Sequence, residues 1–216
     1  MTYTYSKCLT QDDFDTFSEH ALIEPFMQKI HPNYRYEHPM RKWEYGLALK
    51  FLLEIGAKTV LDVGGGGSLL APILAHYGMH VTEVDPDPSG IATVAKQNEI
   101  LKQNNEFVCE DFLEYNKRTK FDAVICMSTI EHIKDKDEKT FFLKLLKPAP
   151  YLFLTTDYSP KARAFSINHE RTYNSTALRK LAKLAKGWDF YGDVEYSYKE
   201  PLVYEYTFAT LVLYKK

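Results

Sequence analysis

Cysteine is scarce: Cys8, Cys109 and Cys126 are the only three, far apart and without CxxC or CxH spacing. An odd count at such spacing argues against a disulfide framework and a structural zinc site, and no metal is expected. Cys109 and Cys126 fall in apolar, strand-like runs and are expected to be buried, inert thiols. No apolar run approaches the roughly 20 residues that span a bilayer. The first residues show no basic stretch leading into an apolar one, so no secretory leader is expected. Neither sign of charge prevails: 27 basic against 29 acidic residues leave a net charge of −2, too little to draw the whole chain to nucleic acid or anionic lipid. Repeats, low-complexity tracts and Gly/Ser/Pro linkers are also missing. What remains is a cytoplasmic enzyme or binding domain.

What is present is ordinary globular composition, 45% hydrophobic and 26% charged, in a length that suits one α/β domain. Residues 1–38, mixed polar and aromatic with Phe14, Phe17 and Phe26, read as an N-terminal cap segment, and 39–216 as the main domain. Trp43, Leu47, Phe51, Leu52 and Ile55 recur at helical spacing over Pro39–Ile55, with Gly56 as the stop. Strands are expected at Lys58–Val63, His80–Val84, Glu106–Cys109, Phe121–Cys126 and Tyr151–Thr155. Helices are expected at Leu69–Tyr77, from an N-cap at Ser89, and over Asp137–Leu146. Asn174 is expected to cap a helix carrying Leu178, Leu181 and Leu184 on one face and Arg179, Lys180, Lys183 and Lys186 on the other. That basic face lacks interleaved aromatics and reads as solvated surface. Asp189–Tyr198 and Tyr206–Tyr214 follow as two strands with no helix between, so one edge should be antiparallel. Dense strand–helix alternation requires a mostly parallel sheet covered on both faces, with ligands beyond the carboxyl ends of its strands.

The first strand runs from Asp62 into Gly64-Gly65-Gly66-Gly67-Ser68. A dinucleotide fingerprint would need a third glycine where Leu69 or Leu70 stands, and a phosphate-binding Walker loop would need GK[ST]. Pyrophosphate is therefore disfavoured, and Asp62 beside the loop suits a cationic ligand instead. Asp85, at the end of the second strand, lies near the ~20-residue separation of an acid that takes ribose hydroxyls. That feature fits a nicotinamide dinucleotide and S-adenosylmethionine equally. Glu83 is expected on the opposite face from Asp85. Asp111 follows the third strand, and Met127-Ser128-Thr129-Ile130-Glu131-His132 the fourth.

Asp62, Gly64 and Gly66, with Ser68 in place of a third glycine, resemble the motif of class I S-adenosylmethionine-dependent methyltransferases. So does FDAVICMSTIEHI, which is similar to the fourth motif of the branch that methylates small molecules. The resemblance covers roughly residues 39–216. It implies a Rossmann-like three-layer α/β sandwich with a mostly parallel seven-stranded sheet and an antiparallel C-terminal hairpin strand. It implies S-adenosyl-L-methionine as cofactor, with Asp85 and Pro86 at the ribose, Asp111 at the adenine amino group, Phe112 covering that ring, and Met127 and Ser128 beneath the sulfonium. Taken singly, Asp111 and Phe112 could instead be a surface acid and a core aromatic. Arg41 is expected to pair with the cofactor carboxylate, since a guanidinium reads a carboxylate bidentately. Glu37–Trp43 would close over the cofactor, with Trp43, Glu131 and Arg171 toward the substrate; alternatively that cluster is surface, with Trp43 packed.

His132 is the first choice as general base, its unperturbed pKa lying near neutrality, and Tyr173 the reserve. Alternatively, His132 only stabilises the turn, and Arg171 and Tyr173 only support helix entry. Some quinone-pathway O-methyltransferases hold a divalent metal in a Glu-x-x-Glu-His cluster; Ser128 stands at the first Glu, so no metal follows. The expected reaction is transfer of a methyl group to an O, N or C nucleophile of a small molecule, by a monomer or homodimer without nucleic-acid or membrane partners. Two rivals are an NAD-dependent oxidoreductase, which would keep Asp85 but needs the missing glycine, and a non-catalytic protein of the same fold, which would lack the strand-end acids.

Overall fold

Residues 3–16, 22–24, 26, 40–161, 171–197 and 206–216 are described by the computed structural model. In chain order the elements are β1 (Ser6–Lys7), α1 (Gln11–Thr16), α2 (Arg41–Glu54), β2 (Thr59–Val63), α3 (Leu70–His76), β3 (His80–Asp85), α4 (Pro88–Ile100), β4 (Glu106–Cys109), β5 (Ala123–Met127), a 3-10 turn (Ile130–His132), α5 (Asp135–Leu145), β6 (Tyr151–Tyr158), α6 (Ser175–Leu184), β7 (Trp188–Phe190), β8 (Val194–Glu195) and β9 (Thr207–Lys215). The main sheet has seven strands in the order β4-β3-β2-β5-β6-β9-β7. β4, β3, β2, β5 and β6 are mutually parallel, and β9 runs antiparallel to both β6 and β7. The expected three-layer sandwich with an antiparallel edge is what forms.

Strand alternation explains both layers and positions the site. Val60, Val81, Ala123, Ile125, Met127, Phe153, Phe208 and Val212 face one core cluster, shared with Trp43, Leu47 and Phe51 of α2 and Ile73 of α3. Leu61, Val63, Val124, Cys126, Leu152, Leu154, Leu211 and Leu213 face the other, shared with Phe141 and Phe142 of α5 and Leu178 and Leu181 of α6. Because residues two apart on a strand point the same way, Asp62, Glu83, Asp85, Thr155 and Asp157 all lie on the α2 side. The expectation that Glu83 and Asp85 face oppositely is thereby corrected.

Other differences are local. Asp87, not Ser89, caps α4: its carboxylate accepts from the Ser89 and Gly90 amides at 2.9 and 3.2 Å, with Pro88 opening the helix. Asn174 caps α6 as expected, accepting from the Ala177 amide at 2.9 Å. β6 extends to Tyr158, three residues past its expected end, because β9 pairs with it residue for residue from Tyr151↔Tyr214 to Tyr158↔Thr207. The expected strand over 189–198 breaks after Phe190, and Val194–Glu195 pairs instead with Ser6–Lys7. The N-terminal segment thus joins the same core: Tyr5, Leu9, Ile23 and Phe26 are buried with α2. Cys109 is exposed rather than buried, whereas Cys8 and Cys126 are buried. Pro39 and Phe17 lie outside the described residues. Among the described residues, no helix is long and apolar enough to cross a membrane.

Candidate functional site

The glycine loop turns back on itself above the ends of β2 and β3. Gly64, with φ +80°, lies so close to β5 that a Cβ there would sit 2.3 Å from the Thr129 hydroxyl. Thr129 in turn donates to the carbonyls of Met127 and Gly64 at 3.0 and 3.2 Å, stitching the loop to the end of β5. Asp85, 7% exposed, accepts from the Gly66 amide at 2.9 Å and from the Asp87 amide at 2.7 Å, one bond on each carboxylate oxygen. Each oxygen retains acceptor capacity.

Asp62 and Glu83 are register partners on adjacent strands, 1% and 0% exposed. One Asp62 oxygen and both Glu83 oxygens have no hydrogen-bond partner among the described residues. Burial, and the Asp85 charge beside it, push Asp62 up to about 7. Burial followed by Asp62 pushes Glu83 up to about 9, with the nearby Gly67 amide pulling the other way. A buried ion carries a desolvation penalty of several kcal/mol, so at neutral pH Glu83 is held as the acid. Two acids with unused acceptor atoms below a glycine cradle suit a ligand that brings positive charge and donors.

At the end of β4, Asp111 is exposed and accepts from the Leu113 amide at 2.8 Å. The Phe112 ring, 3% exposed, turns into the core, edge-on to Phe141 at 5.5 Å. It does not present a face to the surface, so covering a ligand ring falls to other groups. Pro86, just beyond Asp85, is exposed.

A second polar cluster lies past β5 and β6. Glu44 of α2, fully buried, accepts from Arg41 at 2.7 Å, from the Ser128 hydroxyl at 2.9 Å and from the Thr155 hydroxyl. The arginine expected at the cofactor carboxylate thus already holds a carboxylate of its own helix. Glu131, 1% exposed, accepts from the Thr156 hydroxyl at 3.2 Å, and burial followed by Asp157 raises its pKa well above the usual range. His132 is exposed at the end of the same turn. Trp43 is fully buried in the α2 core rather than set against an open pocket.

Arg171 and Tyr173 are brought together, but with each other and with α5. Arg171, 5% exposed, pairs with Asp135 at 2.8 Å and with Glu138, and the Tyr173 hydroxyl donates to Glu138 at 2.6 Å. Burial and the Glu138 charge hold the Tyr173 pKa far above normal, so it stays protonated. Glu37, His38 and Asn168–Glu170 lie outside the described residues. Among the described residues, no group of His, Cys, Asp and Glu side chains is placed to hold a metal ion.

Glu44 escaped the sequence reading, Glu83 is expected there to face the other way, and Asp157 is expected only within residues 155–158 on the acceptor side. Strand alternation from Asp85 points to Glu83, and the i,i+3 spacing from Arg41 points to Glu44.

Comparison with known proteins adds the following. A family profile described as a methyltransferase domain matches residues 60–148. A ubiquinone biosynthesis O-methyltransferase of Coxiella burnetii is 35% identical over 106 residues, 48% of this chain and 45% of that protein. Its counterpart in Dechloromonas aromatica is 31% identical over 119 residues, 53% of this chain and 51% of that one. The matches therefore span about half the length of these relatives. Among solved structures, an S-adenosylmethionine-dependent methyltransferase of Clostridium acetobutylicum superposes with a TM-score of 0.64 at 13% identity, over 90% of this chain and 98% of that one. Magnesium protoporphyrin IX methyltransferase of Synechocystis, solved with bound SAM, gives 0.64 at 17% identity over 96% and 99%. Residues 60–148 thus match a methyltransferase domain, and the chain has the fold found in S-adenosylmethionine-dependent methyltransferases.

Proposed function

We propose that the chain is an S-adenosylmethionine-dependent methyltransferase acting on an oxygen, nitrogen or carbon nucleophile of a small molecule. The observation that carries this reading is the strand-end set of acids: Asp62 with an unused buried oxygen, Asp85 clasping the glycine loop, and Asp111 at the end of the next strand. No phosphate-binding lysine follows the loop. A pyrophosphate would meet three carboxylates there, whereas a sulfonium and an ammonium would be attracted. This disfavours the dinucleotide rival, and retention of all three acids disfavours a non-catalytic relative.

In this reading, Asp85 takes the ribose hydroxyls with Pro86 beside it. Asp62 serves the cationic end, Gly64 and Gly66 let the backbone approach, and Asp111 takes the adenine amino group. The Phe112 backbone and Met127 complete the cradle. When bound, S-adenosylmethionine supplies a methyl group already attached to its leaving group, so alignment and exclusion of water are the main demands on the protein. Arg41, Glu44, Ser128, Thr155 and Glu131 build the buried polar wall on the acceptor side. His132, exposed at its rim, is the group that takes a proton from an acceptor that must lose one. Arg171 and Tyr173 hold the turn bearing Glu131 against α5, and the Arg171 amide donates to the Glu131 carbonyl at 3.3 Å.

An oxygen acceptor is favoured by the O-methyltransferases among the relatives. A reducing, cytoplasmic setting accords with three free cysteines. The main domain is taken as 39–216, with 1–38 as its cap.

Calorimetric titration with S-adenosylhomocysteine and with NADH tests the cofactor. Binding of the first and not the second is expected, with Asp85→Ala and Asp111→Ala each weakening it about 10-fold or more, as for lost charge-assisted hydrogen bonds. Tight binding of NADH alone, or alanine variants of unchanged affinity, would overturn the assignment.

A further inference from the structure

Glu83 belongs to no role given so far, yet it stands directly under the glycine loop. A Cβ on Gly65 would lie 2.5 Å from its carboxyl carbon and 2.6 Å from one oxygen. The carboxyl therefore fills the space that any side chain at position 65 would take. It is fully buried, neither oxygen has a hydrogen-bond partner among the described residues, and its register partner Asp62 also carries an unused buried oxygen.

The charged groups that bear on Glu83 are both acids, Asp62 across the strand pair and Asp85 on its own strand. From the loop above, the Gly67 amide faces it. Cys126 of β5 lies on the opposite face of the sheet, in the core shared with α5 and α6. Glu44, the other fully buried glutamate on this side of the sheet, shows the contrast. It accepts from a guanidinium and two hydroxyls. An anion at Glu83 would have only the Gly67 amide to offset its burial among the described residues, and one at Asp62 is already repelled by Asp85.

We infer that Glu83 is a further acid of the cofactor site, protonated in the free protein and giving up that proton when a cationic ligand fills the loop above it. The inference rests on the cofactor reading proposed above. The step balances simply. The carboxyl O–H bond breaks, the proton leaves to buffer, and the new anion is compensated by the ammonium or sulfonium of the ligand. Affinity for a cation is then linked to proton release, because whatever favours the anion in the complex lowers the pKa there. Asp62 supplies less of this, since it titrates lower, at about 7, and is already about half ionised at neutral pH.

The test is titration of the whole chain with S-adenosylhomocysteine at pH 7.5 in phosphate and in Tris, whose ionisation heats differ, so that the difference in observed heat counts protons released. Wild type is expected to release about half a proton more per bound ligand than Glu83→Gln, which mimics the neutral acid in size and charge. Uptake by the ligand's own amino group is common to both proteins and cancels. Equal release from both, with binding intact, overturns the inference and leaves the cofactor reading standing. Failure of wild type to bind overturns the cofactor reading, and the release step with it.

Infrared difference spectra of the wild type supply a measurement independent of any variant's folding. The carbonyl stretch of a buried carboxylic acid should be present in the free protein at pH 7.5 and weaken on adding the ligand. No such band, or a band that the ligand leaves unchanged, overturns the inference.

Discussion

Gly64 and Gly65 meet different obstacles, and the difference is measurable. Gly64 combines a left-handed φ with contact to Thr129, and a non-glycine residue there carries about 1–3 kcal/mol of backbone strain before any clash. Gly64→Ala should lower stability by roughly 3 kcal/mol in urea unfolding, and repacking cannot recover it. Gly65 has no positive φ, and the atoms nearest a Cβ there belong to the Glu83 side chain. Gly65→Ala should therefore lose about 1–2 kcal/mol, most of it restored in Gly65→Ala/Glu83→Ala. Additive losses across that cycle would show that the two positions do not compete for space. Asp85→Asn keeps the shape of the carboxylate but loses its charge and one acceptor. It should fold with a midpoint within a few degrees of wild type and weaken S-adenosylhomocysteine binding about 10- to 100-fold in calorimetry.

At the scale of elements, local chemistry made most of the architecture readable. Glycines closed α2 and α3, β-branched runs marked the parallel strands, and Asn174 sat where a cap belongs. Replacing it with alanine removes the acceptor for the Ala177 amide and should reduce stability by about 1 kcal/mol. Denaturant unfolding would show this as a lower midpoint with unchanged slope. What escaped was set by distant partners. β6 is longer than its own sequence suggests because β9 pairs along its full length, and the 189–198 run breaks because Val194 and Glu195 pair with Ser6 and Lys7. At the candidate site, Asp62, Asp85 and Asp111 stood out by their places in or just past successive strands, and the family resemblance suggested their roles. Glu44 was not, because its importance depends on how α2 lies across β5 and β6. Tyr173 and Arg171 stood out by residue type, yet they pack against α5, which only tertiary structure reveals.

For the molecule as a whole, the buried acids set how stability depends on pH. Asp62 and Glu83 are raised from 3.8 and 4.5 to about 7 and about 9, so the folded state holds more protons than the unfolded one across that interval. Stability contributed by these groups is complete below about pH 4 and declines as pH rises toward 9, the reverse of the pattern for an ion-paired carboxylate. The free protein should therefore melt at a lower temperature at pH 8.5 than at pH 6, and Glu83→Gln should flatten that slope. A melting temperature that rises steadily from pH 6 to pH 8.5 would contradict this.

β9 is also the strand on which the rest of the sheet's far half depends. It lies between β6 and β7, and the segment from Lys7 to Leu9 docks along it through Thr210, Ala209 and Phe208. During synthesis, the segment from Lys7 to Leu9 therefore lacks its β9 partners until the residues from Thr207 onward have emerged. A nascent chain halted before that point would expose an unpaired β6 edge and unpaired backbone at residues 7–9 together, the species most open to chaperones and to aggregation.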